Sequence, residues 1–517
     1  MKHPVIRRKG ERGFVMLLYT LMMLFVIVPV VGLAIDAGIL YTIKAKLQSA
    51  VDGASLGAAR SLNRSSDIMS QETDATDAAT RYYHANFPTN WMGVSTVNDP
   101  TVDWSHSTAS TAIIDVTGTV SAPTWFMRIF NINAVNVAAT GEATRRNVDI
   151  MLVIDRSSSL GSGPGGTNSC PSLISSAQLF VNSFSNNRDK LGLTTFGTYY
   201  NNDFALTTDF LDSANSGANS LSSHVLPQLY CAGFTNSAAA FSYAYYMLKG
   251  GASGSPDLNA LNVILFFTDG QPNTITFGKD YGTGSAGYLP LSASSTCQLN
   301  TPLSPTTRTG LSGVIAGDVS VDIWGGIFAA TNSTYPVSSS GDFGSGNIIG
   351  TAQGRKSGTC NSFKTTPTGT ANTAPLGTDI GNLPSTDAWG NSINSTWSGG
   401  SSSGTGYTFP ETVNLTGSSE WTQTNLQHAG INALDNAAQN ARINANSLNM
   451  PFVIYTIGLG NASGGVPDEL LRRVANDPTA AVYQTAYPAG IYVSSPDTAH
   501  LAAAFATIAD DIMRISK

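Results

Sequence analysis

From Phe14 to Ile35 the chain carries no charged residue and is apolar almost throughout, a run of about 22 residues. As a helix rising 1.5 Å per residue, such a run extends about 33 Å, enough to cross a hydrocarbon core of about 30 Å. Lys2, Arg7, Arg8, Lys9 and Arg12 precede it and Asp36 follows. An excess of positive charge stays on the cytoplasmic side, so the N-terminus is expected there and everything beyond about residue 36 outside. Gly32-Leu33-Ala34 would suit a signal peptidase, which makes a cleaved leader the competing reading. Against it, the run exceeds an ordinary leader core. A helical pattern also continues through Tyr41, Ile43, Leu47, Val51, Ala54, Leu56 and Ala59. The expectation is a retained single-pass helix over about 14–35.

The remainder of the 517 residues leaves room for one large domain and a smaller region. Charged residues make up only 12% and the net charge is −7, which argues against nucleic acid as a partner and suits a secreted or surface-exposed chain. The four cysteines, Cys170, Cys231, Cys297 and Cys360, form no C-x-x-C and no Cys/His cluster. Disulfides in an oxidising compartment are the expectation, with buried thiols as the alternative. Of three pairings, Cys170 with Cys231 and Cys297 with Cys360 is preferred.

Between 63 and 147 the stretches 94–104, 111–120 and 134–143 show β-branched enrichment or partial alternation, which predicts a small β-rich spacer. Val148 to Ile154 then opens an alternation of strand and helix signals. Strands are expected over 190–196, 262–267, 452–457 and 482–485, and helices over 172–184, 236–249, 425–448, 467–474 and 497–515. This order predicts an α/β domain, a mostly parallel sheet with helices on both faces. About 275–420 is dense in Gly, Ser, Thr and Pro and reads as an insertion with irregular or β-rich structure of its own.

The residues that carry chemistry stand where the first buried strand ends: Asp155-Arg156-Ser157-Ser158-Ser159. Ligands gather at the carboxyl ends of parallel strands. A carboxylate and two hydroxyls at alternating positions are hard oxygen donors, suited to Mg2+ first, with Ca2+ or Mn2+ as alternatives.

This segment resembles the D-x-S-x-S signature of von Willebrand factor A domains with a metal-ion-dependent adhesion site. Thr235 in "GFTNSAAAF" and Asp269 in "LFFTDGQPN" fit that family's threonine and second acidic residue. The resemblance implies a Rossmann-like domain over 148–515. It also implies that Asp155, Ser157, Ser159, Thr235 and Asp269 hold a divalent cation, directly or through water, with one position open to an acidic side chain of a protein partner. The first 62 residues resemble TadE/TadG-like proteins of Flp pilus assembly in Gly-Leu-Ala-Ile-Asp, Tyr41, Lys44, Leu47-Gln48 and "AVDGASLGAA". The later "VSAPTWFMRIFNINAVNVAATGEATRR" resembles the segment that follows in that family. Prepilin-like members are cut after a Gly and carry Glu at the fifth mature position; here Gly13 would place Leu18 there, so a retained anchor in the bacterial inner membrane is implied.

Other signals are set aside. The glycine pattern at 161–166 begins well past the strand and holds Pro164, and that at 282–287 follows no strand. Gly400 to Gly404, with Ser402 at its centre, imitates a nucleophile elbow inside a Ser/Gly-rich run. The sequence therefore points to a non-enzymatic, membrane-anchored binding protein of pilus assembly. A stand-alone surface adhesin and a serine hydrolase are the alternatives.

Overall fold

The protein is described by a computed structural model over residues 11–162, 169–277, 383–394, 412–415, 423–460 and 468–515, apart from positions 64, 66, 109, 198, 199, 232 and 384, together with the backbone of five short strands between 289 and 350. It divides at Arg145/Arg146 into two units.

The first unit begins with helix α1 (Glu11–Met22), a π-helical turn Met23–Ile27 and helix α2 (Val28–Ser61). Pro29 lies in the first turn of α2 and can neither donate to nor tolerate the carbonyl of Phe25, so the widened turn ahead of it absorbs the misfit. Between Val15 and Ile35 large apolar side chains point outward around the helix, and its most apolar stretch has a mean hydropathy of 2.5 with 6% of it buried. A core helix would hide one stripe; this one hides almost none.

Beyond Ile35 the same helix becomes amphipathic. Ile43, Leu47, Ala50, Val51, Ala54 and Ala58 are buried at spacings of three and four against helix α3 (Ile68–Asn86) and the sheet β1 (Thr101–Asp103), β2 (Thr111–Pro123), β3 (Ala134–Arg146). Gly57 permits the close crossing, since a Cβ there would stand 2.2 Å from the Tyr82 ring. Strand β2 alternates buried and half-buried residues along most of its length, as a sheet covered on one face should. The stretch expected to be β-rich therefore opens with a helix of 19 residues, capped by Asp67, whose carboxylate accepts from the Ser70 N–H at 2.9 Å. Its buried side is Ala75, Ala78, Ala79 and Tyr83, too small a set of apolar residues to give a visible stripe. Of 94–104, only Thr101–Asp103 is a strand.

In the second unit, β4 (Val148–Asp155) pairs in parallel with β5 (Lys190–Phe196) on one side and β7 (Leu261–Thr268) on the other, and β14 (Phe452–Leu459) and β15 (Tyr492–Ser495) continue beyond β7. Strand β6 (Tyr200–Thr207), which the sequence reading left out, adds an antiparallel edge to β5. All eight residues of β4, of β7 and of β14 are buried. Helices cover both faces: α5 (Cys170–Val181) and α9 (Leu501–Ile515) on Ile150, Leu152 and Ile154; α6 (Ser237–Leu248), α7 (Gln423–Ser447) and α8 (Asp468–Ala475) on Met151 and Val153. A short helix α4 (Ser159–Ser162) follows β4.

The expected strand at 482–485 is a turn region; the last strand is Tyr492–Ser495. Gly490 just before it lies so close to the sheet that a Cβ would meet the Ile454 carbonyl oxygen at 1.7 Å. Inside the insertion, β8 (Thr274–Phe277) pairs with β11 (Gly313–Ala316), which leads to β12 (Gly326–Ala329) and β13 (Ile348–Gly350), all antiparallel; β9 (Leu289–Pro290) and β10 (Gly310–Leu311) form a second pair. Trp389 from the insertion returns to the core, within ring contact of Tyr200, Tyr243 and Tyr246.

One charged pair is sealed between α7 and α8: Arg473 donates to Asp435 through Nε at 3.2 Å and Nη2 at 2.7 Å, with side-chain exposures of 1% and 0%. Removing one partner leaves the other charge buried, so Asp435→Ala should cost about 3–5 kcal/mol, while Asp435→Ala/Arg473→Met together should recover much of it. Denaturant unfolding of both variants measures this, and equal losses in the two would contradict it.

Candidate metal centre

The site lies where the chain order of the sheet reverses. From β4 the chain crosses by α5 to β5 on one side of the sheet, then returns by α6 on the opposite face to β7 on the other side of β4. The carboxyl ends of β4 and β7 therefore border a crevice that no crossover helix covers, the place where open α/β sheets hold ligands.

Asp155 is the last residue of β4 and is fully buried. Its Oδ1 accepts the Ser157 backbone N–H at 2.8 Å and its Oδ2 accepts the Thr268 hydroxyl at 2.6 Å. The Ser157 and Ser159 hydroxyls stand 2.9 Å apart, and Ser159 Oγ donates to Asp269 Oδ1 at 2.8 Å. Four of the five residues singled out in the sequence thus form one connected hydrogen-bond network, assembled from β4, the turn after it and the end of β7.

Thr235, the fifth, is tied into the same loops through its backbone. Its N–H donates to Asn273 Oδ1 at 2.7 Å and its carbonyl accepts the Asn273 N–H at 3.1 Å; two residues earlier, the Gly233 carbonyl accepts the Ser158 N–H at 2.9 Å. Thr268 and Asn273 are the residues that sequence reading passed over. Thr268 ends an apolar strand as its one hydroxyl-bearing residue, which was the available signal.

The electrostatics are unbalanced. Burial, followed by the negative charge of Asp155, pushes Asp269 up to about 8, and burial raises Asp155 as well. Arg156 is buried between the ligand-type residues, yet its Nε is turned to the Thr195 hydroxyl at 3.2 Å, where Thr195 also bonds Asp203. Two buried carboxyl groups and two or three hydroxyls, without sulfur or imidazole, are donors of the kind that suits a hard divalent cation, which would supply positive charge beside the pair.

Cys170, at the start of α5, is bonded to Cys231, four residues before Thr235, with 6.1 Å between the Cα atoms. Cys297, Cys360, Ser402 and the glycines at 282–287 lie outside the described residues, as do 163–168.

Residues 150–271 match the von Willebrand factor type A domain, and residues 13–61 match the Flp pilus-assembly TadE/G-like domain. The chain thus carries both, and its α/β fold is that of an A domain. No curated protein matches the sequence. Among solved structures, the chain is similar to the vWF domain of the type V pili tip protein Mfa5 from Porphyromonas gingivalis, at 16% identity over 72% of this chain and 98% of that one, with a TM-score of 0.34. It is similar to the pilus adhesin SpaC from Lactobacillus rhamnosus GG at 12% identity, over 81% of this chain and 34% of SpaC, with a TM-score of 0.34. The PilB minor pilin from Streptococcus sanguinis matches at 13% identity over 81% and 78%, with a TM-score of 0.33.

Two outcomes are expected. A carboxyl group whose pKa is raised on folding is held protonated by the native state, so stability falls as pH rises from the ordinary carboxylate value towards the raised one. In chelator, the thermal midpoint should therefore fall from pH 6 to pH 8. Asp149, raised only to about 6 by burial, acts below that window. Asp269→Asn should flatten the fall and saturating Mg2+ should reverse it; a midpoint independent of pH in chelator would contradict the assignment. Separately, the Cys170–Cys231 bridge closes a loop with a sequence separation of 61. Replacing both cysteines with Ser should cost about 4 kcal/mol in unfolding free energy on the chain-entropy estimate.

Proposed function

We propose that this pilus-related surface protein is held in the bacterial inner membrane by the helix at 14–35, N-terminus in the cytoplasm, and that its A domain grips a protein partner through a divalent cation. In this reading Asp155, Ser157 and Ser159 are the cation ligands, Thr235 and Asp269 join directly or through water, and an acidic side chain of the partner completes the shell. Mg2+ is the first candidate, with Ca2+ or Mn2+ able to substitute. The partner belongs to the pilus assembly.

The observation that carries the reading is the connected hydrogen-bond network Asp155–Ser157–Ser159–Asp269 at the switch point of the sheet, which gathers two carboxyl groups and two hydroxyls. It brings two carboxyl groups together out of water, which is costly for a structural turn and useful for a cation. Exposed apolar residues all round the helix before Asp36, together with the TadE/G-like match, support the anchor. The chemistry proposed is binding and not turnover, because the donors present an electrophilic ion to a carboxylate.

Calorimetric titration with Mg2+ tests it. Wild type should bind, and Asp155→Ala should weaken binding by at least roughly 10–100-fold. Equal affinity in the two would refute the site. Capture of a partner that survives chelation would refute the bridging role even if the ion binds. A stand-alone adhesin would share the site but act without pilus components, and a strain deleted for those components would then retain adhesion.

A further inference from the structure

The connection between β2 and β3 is closed at its base, where the Thr124 N–H donates to the Asn133 carbonyl at 3.1 Å, and its tip is a single 3-10 turn, Met127–Phe130. The tip is apolar and turned outward: Trp125 is 62% exposed, Ile129 75%, Phe130 57% and Ile132 41%. Solvated tips normally carry small polar residues, so four large apolar side chains in eight positions call for a cover.

Its position says what the cover is. The Phe126 ring lies directly on the backbone of α2 at Gly32, where a Cβ would stand 2.5 Å from Phe126 Cδ1. Four residues on, the buried Asp36 carboxylate accepts the N–H groups of Trp125 at 2.9 Å, Phe126 at 2.9 Å and Met127 at 2.7 Å. The turn is thus pinned beside 32–36, at the outer end of the apolar run and continuous with the exposed Val30, Val31, Leu33 and Ile35 of the same helix. Arg128, on the same turn, is exposed.

We propose that residues 125–132 form a second membrane contact, a short wedge that enters the outer headgroup region of the bilayer beside the spanning helix. Trp125, Ile129, Phe130 and Ile132 lie among the upper acyl chains and glycerol groups, where amphipathic rings are favoured, and Arg128 meets lipid phosphate. Asp36, just past the apolar run, does not need water because three N–H groups satisfy it. The wedge fixes how far the helix emerges and which side of the small unit faces the lipid. The inference rests on the anchor reading above.

A photoactivatable diazirine amino acid placed singly at Leu24, Ile129, Phe130 or Met69 of the full chain tests it. The four proteins are reconstituted in phosphatidylethanolamine/phosphatidylglycerol vesicles, and lipid adducts are read by mass spectrometry. All four side chains are well exposed, so the replacements leave packing intact. The expected result is lipid adducts at Ile129 and Phe130 as abundant as at Leu24, and none at Met69. Adducts at Leu24 without any at Ile129 and Phe130, or cross-links there to a second copy in place of lipid, would overturn the wedge and leave the anchor standing. No lipid adduct at Leu24 would overturn the anchor reading and the wedge with it.

Discussion

Asp155 and Asp269 stand at the carboxyl ends of β4 and β7, joined through serine and threonine hydroxyls and the Ser157 N–H. Everything around the pair holds this costly arrangement in place. Strands β4 and β7 are buried along their whole length, so their ends cannot shift apart. The turn after β4 is laced to its neighbours by backbone bonds from Arg156 to Phe196 and from Ser158 to Gly233, and Asn273 clasps Thr235 from both sides. For the binding role proposed above, donors fixed in this way would need little reorganisation.

Much of this was readable in the residues. An uninterrupted apolar strand ending in Asp-x-Ser-x-Ser can place those oxygens only at a sheet edge where helices begin, and a second strand ending in Thr-Asp-Gly supplies its neighbour. What the sequence hid has physical reasons. Helix α3 buries alanines and one tyrosine, so its apolar stripe is faint. Strand β6 is an antiparallel edge with mixed burial, where alternation carries little signal. The last strand was misplaced by ten residues because Gly490, which allows the close approach to Ile454, reads locally as loop. The role of Trp389 in the aromatic cluster could not be foreseen from a Gly/Ser-rich surrounding sequence. Thr268 was passed over because it completes a strand and a site at once.

In the first unit, one helix changes character along its length. Up to Ile35 it shows apolar side chains on all sides, and from Asp36 it buries a stripe against α3 and the sheet. Asp36 marks the change. Burial works against its charge, but the N–H groups of Met127, Trp125 and Phe126, aided by Arg128, more than offset that and hold its pKa below the ordinary carboxylate value. The same three bonds fasten the β2–β3 turn to the helix. Both units therefore use a buried carboxylate at the boundary of an apolar element. In the first, Asp36 is held by three backbone N–H groups; in the second, Asp155 is held by the Ser157 N–H and the Thr268 hydroxyl.

The most direct measurement is anomalous scattering from crystals of the protein grown with Mn2+. A peak about 2.1 Å from Ser157 Oγ and Ser159 Oγ, within reach of the Asp155 and Asp269 carboxylates directly or through one water, is the expected result. A peak instead at Asp103, His106 and the half-buried Asp115, whose ligand atoms lie within 4.8 Å of one another, with none beside Asp155, would contradict it.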